Sequence, residues 1–98
     1  MKKTTVAAKW PFEIICWIDH GEPIDKRSWD GPTPPEQLRP IVVWTGGFIV
    51  SENDQIVEQA RDTSEYGHTS ASINIIKKCI VYRKRIAVPT IKRAQTDI

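Results

Sequence analysis

The sequence predicts an all-β domain: a small five-stranded SH3-like or Sm-like barrel or, as the alternative, a strongly bent antiparallel sheet with one long loop. Three observations predict it. Short runs rich in β-branched and aromatic residues alternate with clusters of Gly, Pro, Asn, Asp and Ser. A hairpin stands in the middle of the chain, Pro40 to Val50, then Ser51-Glu52-Asn53-Asp54, then Gln55 to Ala60. No segment carries a helical period over helical length. The chain has 98 residues, which make one domain.

Residues 1–9 are polar and aperiodic and read as a disordered arm. Phe12 to His20, bounded by Pro11 and Gly21, reads as the first strand. Gly21 to Pro40 contains Pro23, Pro32, Pro34 and Pro35 and reads as a long loop, with one helical turn at Pro34 to Leu38. The second strand runs from Ile41 to Val50. Both of its faces are largely apolar, so it is central or sharply bent, and Gly46-Gly47 marks the expected bend or bulge. Asn53 and Asp54 suit a turn. Gln55 to Arg61 is the third strand, Asp62 to Ser72 a polar loop, and Ser72 to Ile76 a short fourth strand. Lys77-Lys78 reads as a tight 3₁₀ connection and Cys79 to Ile86 as the fifth strand. The β domain thus spans 10–88, and 89–98 reads as a flexible tail. A sheet of this size cannot bury both faces alone, so dimerisation is expected.

The composition, 40% hydrophobic and 27% charged, is that of a soluble globular domain. No apolar run approaches the roughly 18 residues of a membrane span. The basic start lacks an apolar h-region, so no signal peptide and a cytoplasmic location are expected. Cys16 and Cys79 then read as reduced thiols. With His20 and His68 they show no metal-ligand spacing, so neither metal nor other cofactor is expected.

Charge is unevenly spread. Residues 1–9 hold three lysines and no acid. Residues 10–76 hold four basic and eleven acidic side chains, and residues 77–98 hold seven basic side chains against Asp97. A basic end on an acidic body attracts phosphates or an acidic protein surface, or else lies against its own body.

Catalytic signatures are missing. Asp19 and His20 are neighbours on a strand and point to opposite faces. No nucleophile elbow, His-Glu-x-x-His or phosphate loop occurs, so no enzyme is expected. Asp19 reads as a strand-end or turn cap. Of the four tryptophans, Trp17 and Trp44 read as core. Trp29 lies in the long loop, where it either plugs an open end of the barrel or stacks on a ligand. With His68, Thr69, Arg83 and Arg85 it forms the candidate set for a small anionic ligand. In the fifth strand Arg83 and Arg85 share one face, with Tyr82 and Lys84 on the other. With Lys78 these four make the candidate nucleic-acid set.

The chain resembles a family of small bacteriophage and prophage proteins. Their shared pattern is an early Trp-Leu-Asp strand, a loop with an isolated Trp, and a Pro before a strand ending Gly-Trp-Leu-Ile. A Glu-Asp-Asp turn, Ile-Val-Leu-Ala and Ile-Pro-Lys-Gly-Cys-Ile come after it. Here the counterparts are Trp17-Ile18-Asp19, Trp29, Pro40 and Gly46-Gly47-Phe48-Ile49-Val50. Glu52-Asn53-Asp54, Ile56-Val57-Glu58-Gln59-Ala60 and Ile75-Ile76-Lys77-Lys78-Cys79-Ile80 complete the match, over about residues 12–86. Gly47-Phe48 stands for Gly-Trp, and Ile76 and Lys78 stand for Pro and Gly. The resemblance implies a phage or mobile-element origin and a compact β fold, and carries over no activity.

The expectation is therefore a non-enzymatic phage accessory protein, of the host-takeover or anti-defence kind, that binds a host protein or itself. Two alternatives stand beside it. One is a sequestering protein for a small anion such as a cyclic-nucleotide immune signal. The other is an RNA- or DNA-binding small barrel.

Overall fold

The computed structural model describes residues 4–19, 35–37 and 39–96. Among these there are seven strands: β1 (Thr5–Val6), β2 (Phe12–Asp19), β3 (Ile41–Glu52), β4 (Ile56–Thr63), β5 (Thr69–Ile76), β6 (Ile80–Ile86) and β7 (Ile91–Lys92). Short 3₁₀ turns lie at Pro35–Gln37, Lys77–Cys79 and Arg93–Thr96. β1 and β7 form a two-stranded ladder; the other five strands form one antiparallel sheet in the order β5-β4-β3-β2-β6.

The register forces this sheet to curl. Ile75 lies across from Val57 and Glu52, whereas Ile80 lies across from Trp17 and Val43. From Val43 to Glu52 is nine positions, about 30 Å in a flat sheet. The chain from Ile75 to Ile80 reaches at most about 18 Å. The sheet must therefore fold over so that the 3₁₀ turn can step from one edge strand to the other. Burial agrees: Ile15, Ile49, Val57 and Ile75 form the core, and Trp17 and Ile80 close on it from the other half of the sheet. β5 and β6 do not pair, so the sheet is strongly bent but not closed into a barrel.

The bend is made by a bulge other than the one the sequence marks. Gly46 and Gly47 pair in register with Ile14 and Glu13. The irregularity in the β3–β4 ladder falls between Ile49 and Ser51, which leaves Val50 as the extra residue. An extra residue raises the local twist and reverses the alternation beyond it. Glu52 thereby comes to the same side as Ile49. Gly47 has a separate role, because a Cβ there would stand 2.7 Å from both the Ala60 carbonyl oxygen and Gln59 Cγ. A second bulge, between Cys16 and Trp17 in the β2–β6 ladder, sets Val81 out of register.

Turn chemistry is explicit. The Asn53 side-chain oxygen accepts from the backbone N–H of Gln55 and of Ile56, both at 2.8 Å, which tightens the β3–β4 hairpin. The β4–β5 turn closes on Ser64, whose Oγ accepts from the N–H of Tyr66 and of His68 at 3.3 Å. Gly67 there takes φ +88°, open to glycine without penalty. β5 begins at Thr69, three residues before the sequence-predicted start.

The ends also differ from their sequence reading as arm and tail. Thr5 pairs with Lys92 and Val6 with Ile91. Arg93 N–H donates to the Thr4 carbonyl at 2.8 Å, and its guanidinium grips Glu65 through two bonds of 2.9 and 3.1 Å. The Trp10 indole donates to the Gly67 carbonyl at 3.1 Å. Aperiodic polar sequence hides such a ladder because two-residue strands carry no pattern to read.

Candidate functional site

The curl gives the sheet an inner and an outer face, and the candidate residues divide between them. On the inner face, Glu13 on β2 stands beside Arg85 and two residues from the row of Arg83, with Ile15 next to it. Glu13 is 4% exposed. A carboxylate so buried demands cationic partners. Its Oε1 accepts from Arg83 Nε at 2.7 Å and its Oε2 from Arg85 Nη2 at 3.1 Å. The other side of the Arg83 guanidinium meets Glu52 through bonds of 3.0 and 3.2 Å. Lys77 Nζ, in the 3₁₀ turn, lies 2.7 Å from Glu52 Oε2. Gln59, 3% exposed, donates its amide to the Glu13 carbonyl at 3.0 Å. The result is a chain Arg85–Glu13–Arg83–Glu52–Lys77 that ties the edge strand β6 to β2, β3 and the turn after β5.

The electrostatics match the geometry. Burial acts to raise the Glu13 pKa, but the Arg83 and Arg85 guanidiniums outweigh it and hold the carboxyl below the usual range. Arg83, and then Lys77, hold Glu52 down to about 2. The two carboxylates raise the pKa of Arg83 further still. Arg83 is thus occupied on both sides, and its charge is answered within the fold. The basic strand lies against acids of its own sheet, the self-complementary arrangement.

The outer face is apolar and aromatic. Trp44 on β3, Cys16 on β2 and Tyr82 on β6 share one row. The Trp44 and Tyr82 rings lie 6.2 Å apart at 59°. Trp44 is 65% exposed and Tyr82 48%, so Trp44 is not the core residue its flanking aliphatics suggested. The reason is alternation: Val43 and Thr45 lie opposite inward-facing Trp17 and Ile15, which sends Trp44 outward. Exposed Val42 and Ile14 extend the patch in the neighbouring rows. Lys84, across from Ile14, is its cation. Phe12 and Phe48 meet edge to face at 5.2 Å at one end of this surface.

The remaining candidates scatter. Lys78 is exposed in the 3₁₀ turn. His68 and Thr69 are exposed at the β4–β5 turn, with no hydrogen bond joining them to Arg83 or Arg85 among the described residues. Trp29 and His20 lie outside the described residues. Cys16 is buried and Cys79 half-buried, both as free thiols. Among the described residues no group of three or more His, Cys, Asp or Glu side chains is placed to hold a metal ion, and no helix is long and apolar enough to cross a membrane. Sequence reasoning missed Glu13, Glu52 and Trp44 as site residues. The alternation of β2 does put Glu13 on the face of Ile15, a signal available in the sequence, whereas Glu52 depends on the Val50 bulge.

Comparison with protein-family models, with curated proteins and with solved structures finds no match.

Proposed function

We propose that this chain is a non-enzymatic binding protein that engages another protein through the outer face of β3, β2 and β6. One observation carries the reading: Trp44 and Tyr82 stand side by side and largely solvent-exposed on a face continued by Val42 and Ile14. Trp and Tyr are the residue types that dominate protein–protein hot spots, and contiguous exposed apolar surface on a small domain marks an interaction site. The aliphatic members favour a protein over a nucleic acid, since bases stack on rings and gain little from Val42 or Ile14. Arg83, which would neutralise phosphates, is committed to Glu13 and Glu52, and Arg85 is tied to Glu13 by one bond. Lys84 beside the patch favours a partner with an acidic residue next to its apolar anchor. A host-cell protein as that partner, and an accessory role for the chain, belong to this proposal.

The test is a double variant, Trp44→Ala with Tyr82→Ala. Both side chains are exposed, so the fold is expected to survive their loss. A purified host protein that forms a defined complex with the wild-type chain, seen by native mass spectrometry, is expected to lose at least about 100-fold in affinity to the double variant. A complex indifferent to the double substitution sinks this reading. Salt-dependent quenching of tryptophan fluorescence by a single-stranded oligonucleotide, abolished by Trp44→Ala and Lys84→Ala, replaces it with nucleic-acid binding.

A further inference from the structure

The two edges of the five-stranded sheet are not alike. β6 runs Ile80-Val81-Tyr82-Arg83-Lys84-Arg85-Ile86, with three successive cations and a bulge at Val81. Charge and bulges are the devices by which natural sheets protect an edge from pairing. β5 runs Thr69-Ser70-Ala71-Ser72-Ile73-Asn74-Ile75-Ile76. It carries no charge and no proline in eight residues, and among the described residues it pairs on one side only, with β4. Its one irregularity is Ala71, at φ +52°, which confines the regular edge to Ser72–Ile76. Along that edge Ile73 is 42% and Ile76 56% exposed.

We infer that this edge is a self-association site, at which β5 pairs antiparallel with β5 of a second copy of the chain about a two-fold axis at Asn74. The axis at Asn74 sets Ile73 across from Ile75 of the other copy, and Ser72 across from Ile76. Ile75 is already buried on the inner face, so the contact covers exposed Ile73 and continues the inner apolar row across the axis. The two Asn74 side chains meet on the outer face, where amide can bond amide. A second copy suits this edge because an uncharged strand meets its own image without repulsion. β6 against β6 would instead set three cations against three. An isologous pair also closes on itself, with no free β5 edge left for further growth. Five paired residues make a contact well below the roughly 1,600 Å² of a standard interface, so the dimer forms and dissociates with concentration. This site is separate from the aromatic face.

Sedimentation velocity over a concentration series tests it on the full-length chain. The wild type is expected to pass from one to two chain masses as concentration rises. Ile73→Lys, an exposed substitution that places like charges beside the axis, is expected to remain at one chain mass throughout. Outer-face substitutions give the contrast: the Trp44→Ala, Tyr82→Ala double variant is expected to dimerise as the wild type does. In a Cys79→Ser background, Asn74→Cys is expected to yield a covalent dimer under mild oxidation, and Ser70→Cys is not. A wild type that stays monomeric across the series overturns the proposal. So does a dimer that withstands Ile73→Lys but is lost with Trp44 and Tyr82, which would move self-association to the outer face.

Discussion

Arg83 holds Glu13 with its Nε and Glu52 with its two terminal nitrogens, and the carboxylates depend on it unequally. Glu13 is sealed inside the sheet, whereas the Glu52 side chain keeps about a third of its exposure. Both have folded-state pKa values below their unfolded ones, Glu52 at about 2. A depressed carboxylate stabilises the fold at pH above its unfolded value, and that contribution disappears as pH falls through the folded value. Stability is therefore expected to be level from neutrality down to about pH 5 and to fall from there toward pH 2. After discounting for solvent screening, the Glu52 share is about 1–2 kcal/mol. Thermal melts across this range check it, and Glu52→Gln should flatten the lower part of the curve. A wild-type melting temperature that is unchanged between pH 5 and pH 2 would show that the ion chain contributes nothing. The sequence makes half of this site legible. Strand alternation pairs Arg83 with Arg85 and Glu13 with Ile15. Which acids meet which arginines is decided by the pairing of β2 with β6, a contact about 70 residues apart along the chain, and local pattern carries no trace of that.

At the scale of the element, β-strands announce themselves through composition, and their irregularities do not. Phe12–Asp19, Ile41–Glu52 and Ile80–Ile86 are rich in Ile, Val, Trp, Phe and Tyr and lie close to where the sequence puts them. The start of β5 is hidden because Thr69-Ser70-Ala71-Ser72 has the composition of a loop. Its strand character comes from the ladder to β4, where Ser70 faces Asp62 and donates to it at 3.1 Å. Ala71 makes the point testable. A left-handed conformation costs a non-glycine residue about 1–2 kcal/mol, and a β-branched side chain more. Ala71→Val, which strand propensity alone would call stabilising, is expected to lower the urea midpoint by the equivalent of about 1–2 kcal/mol. Ser72→Val, one residue along on the same exposed strand, is expected to leave the midpoint unchanged or raise it. Equal responses at the two positions would mean that the backbone at Ala71 is not constrained by the fold.

Across the whole molecule, the five-stranded sheet is closed upon by a clasp drawn from both ends of the chain. β1 and β7 contribute only two residues each, far too few to persist alone. They are held because Arg93 is fixed to Glu65 and Trp10 to Gly67, both on the turn between β4 and β5. The core residues Ile15, Ile49, Val57 and Ile75 all lie in the larger sheet, so the clasp rests on the sheet and not the reverse. Removing residues 90–98 is therefore expected to leave the sheet cooperatively folded, with a melting temperature lower by about 5 °C or less, because exposed ion pairs and a few surface backbone bonds contribute little. Hydrogen exchange resolves the two parts. Amides of residues 5 and 6 should lose protection on truncation, while those of β2, β3 and β4 keep most of theirs. Glu65→Gln, which weakens the anchor without shortening the chain, should shift residues 5, 6 and 93 in the same direction and by less. If truncation instead strips protection from β2 and β3, the ends are part of the cooperative unit, and the division into a self-sufficient sheet and a dependent clasp is wrong.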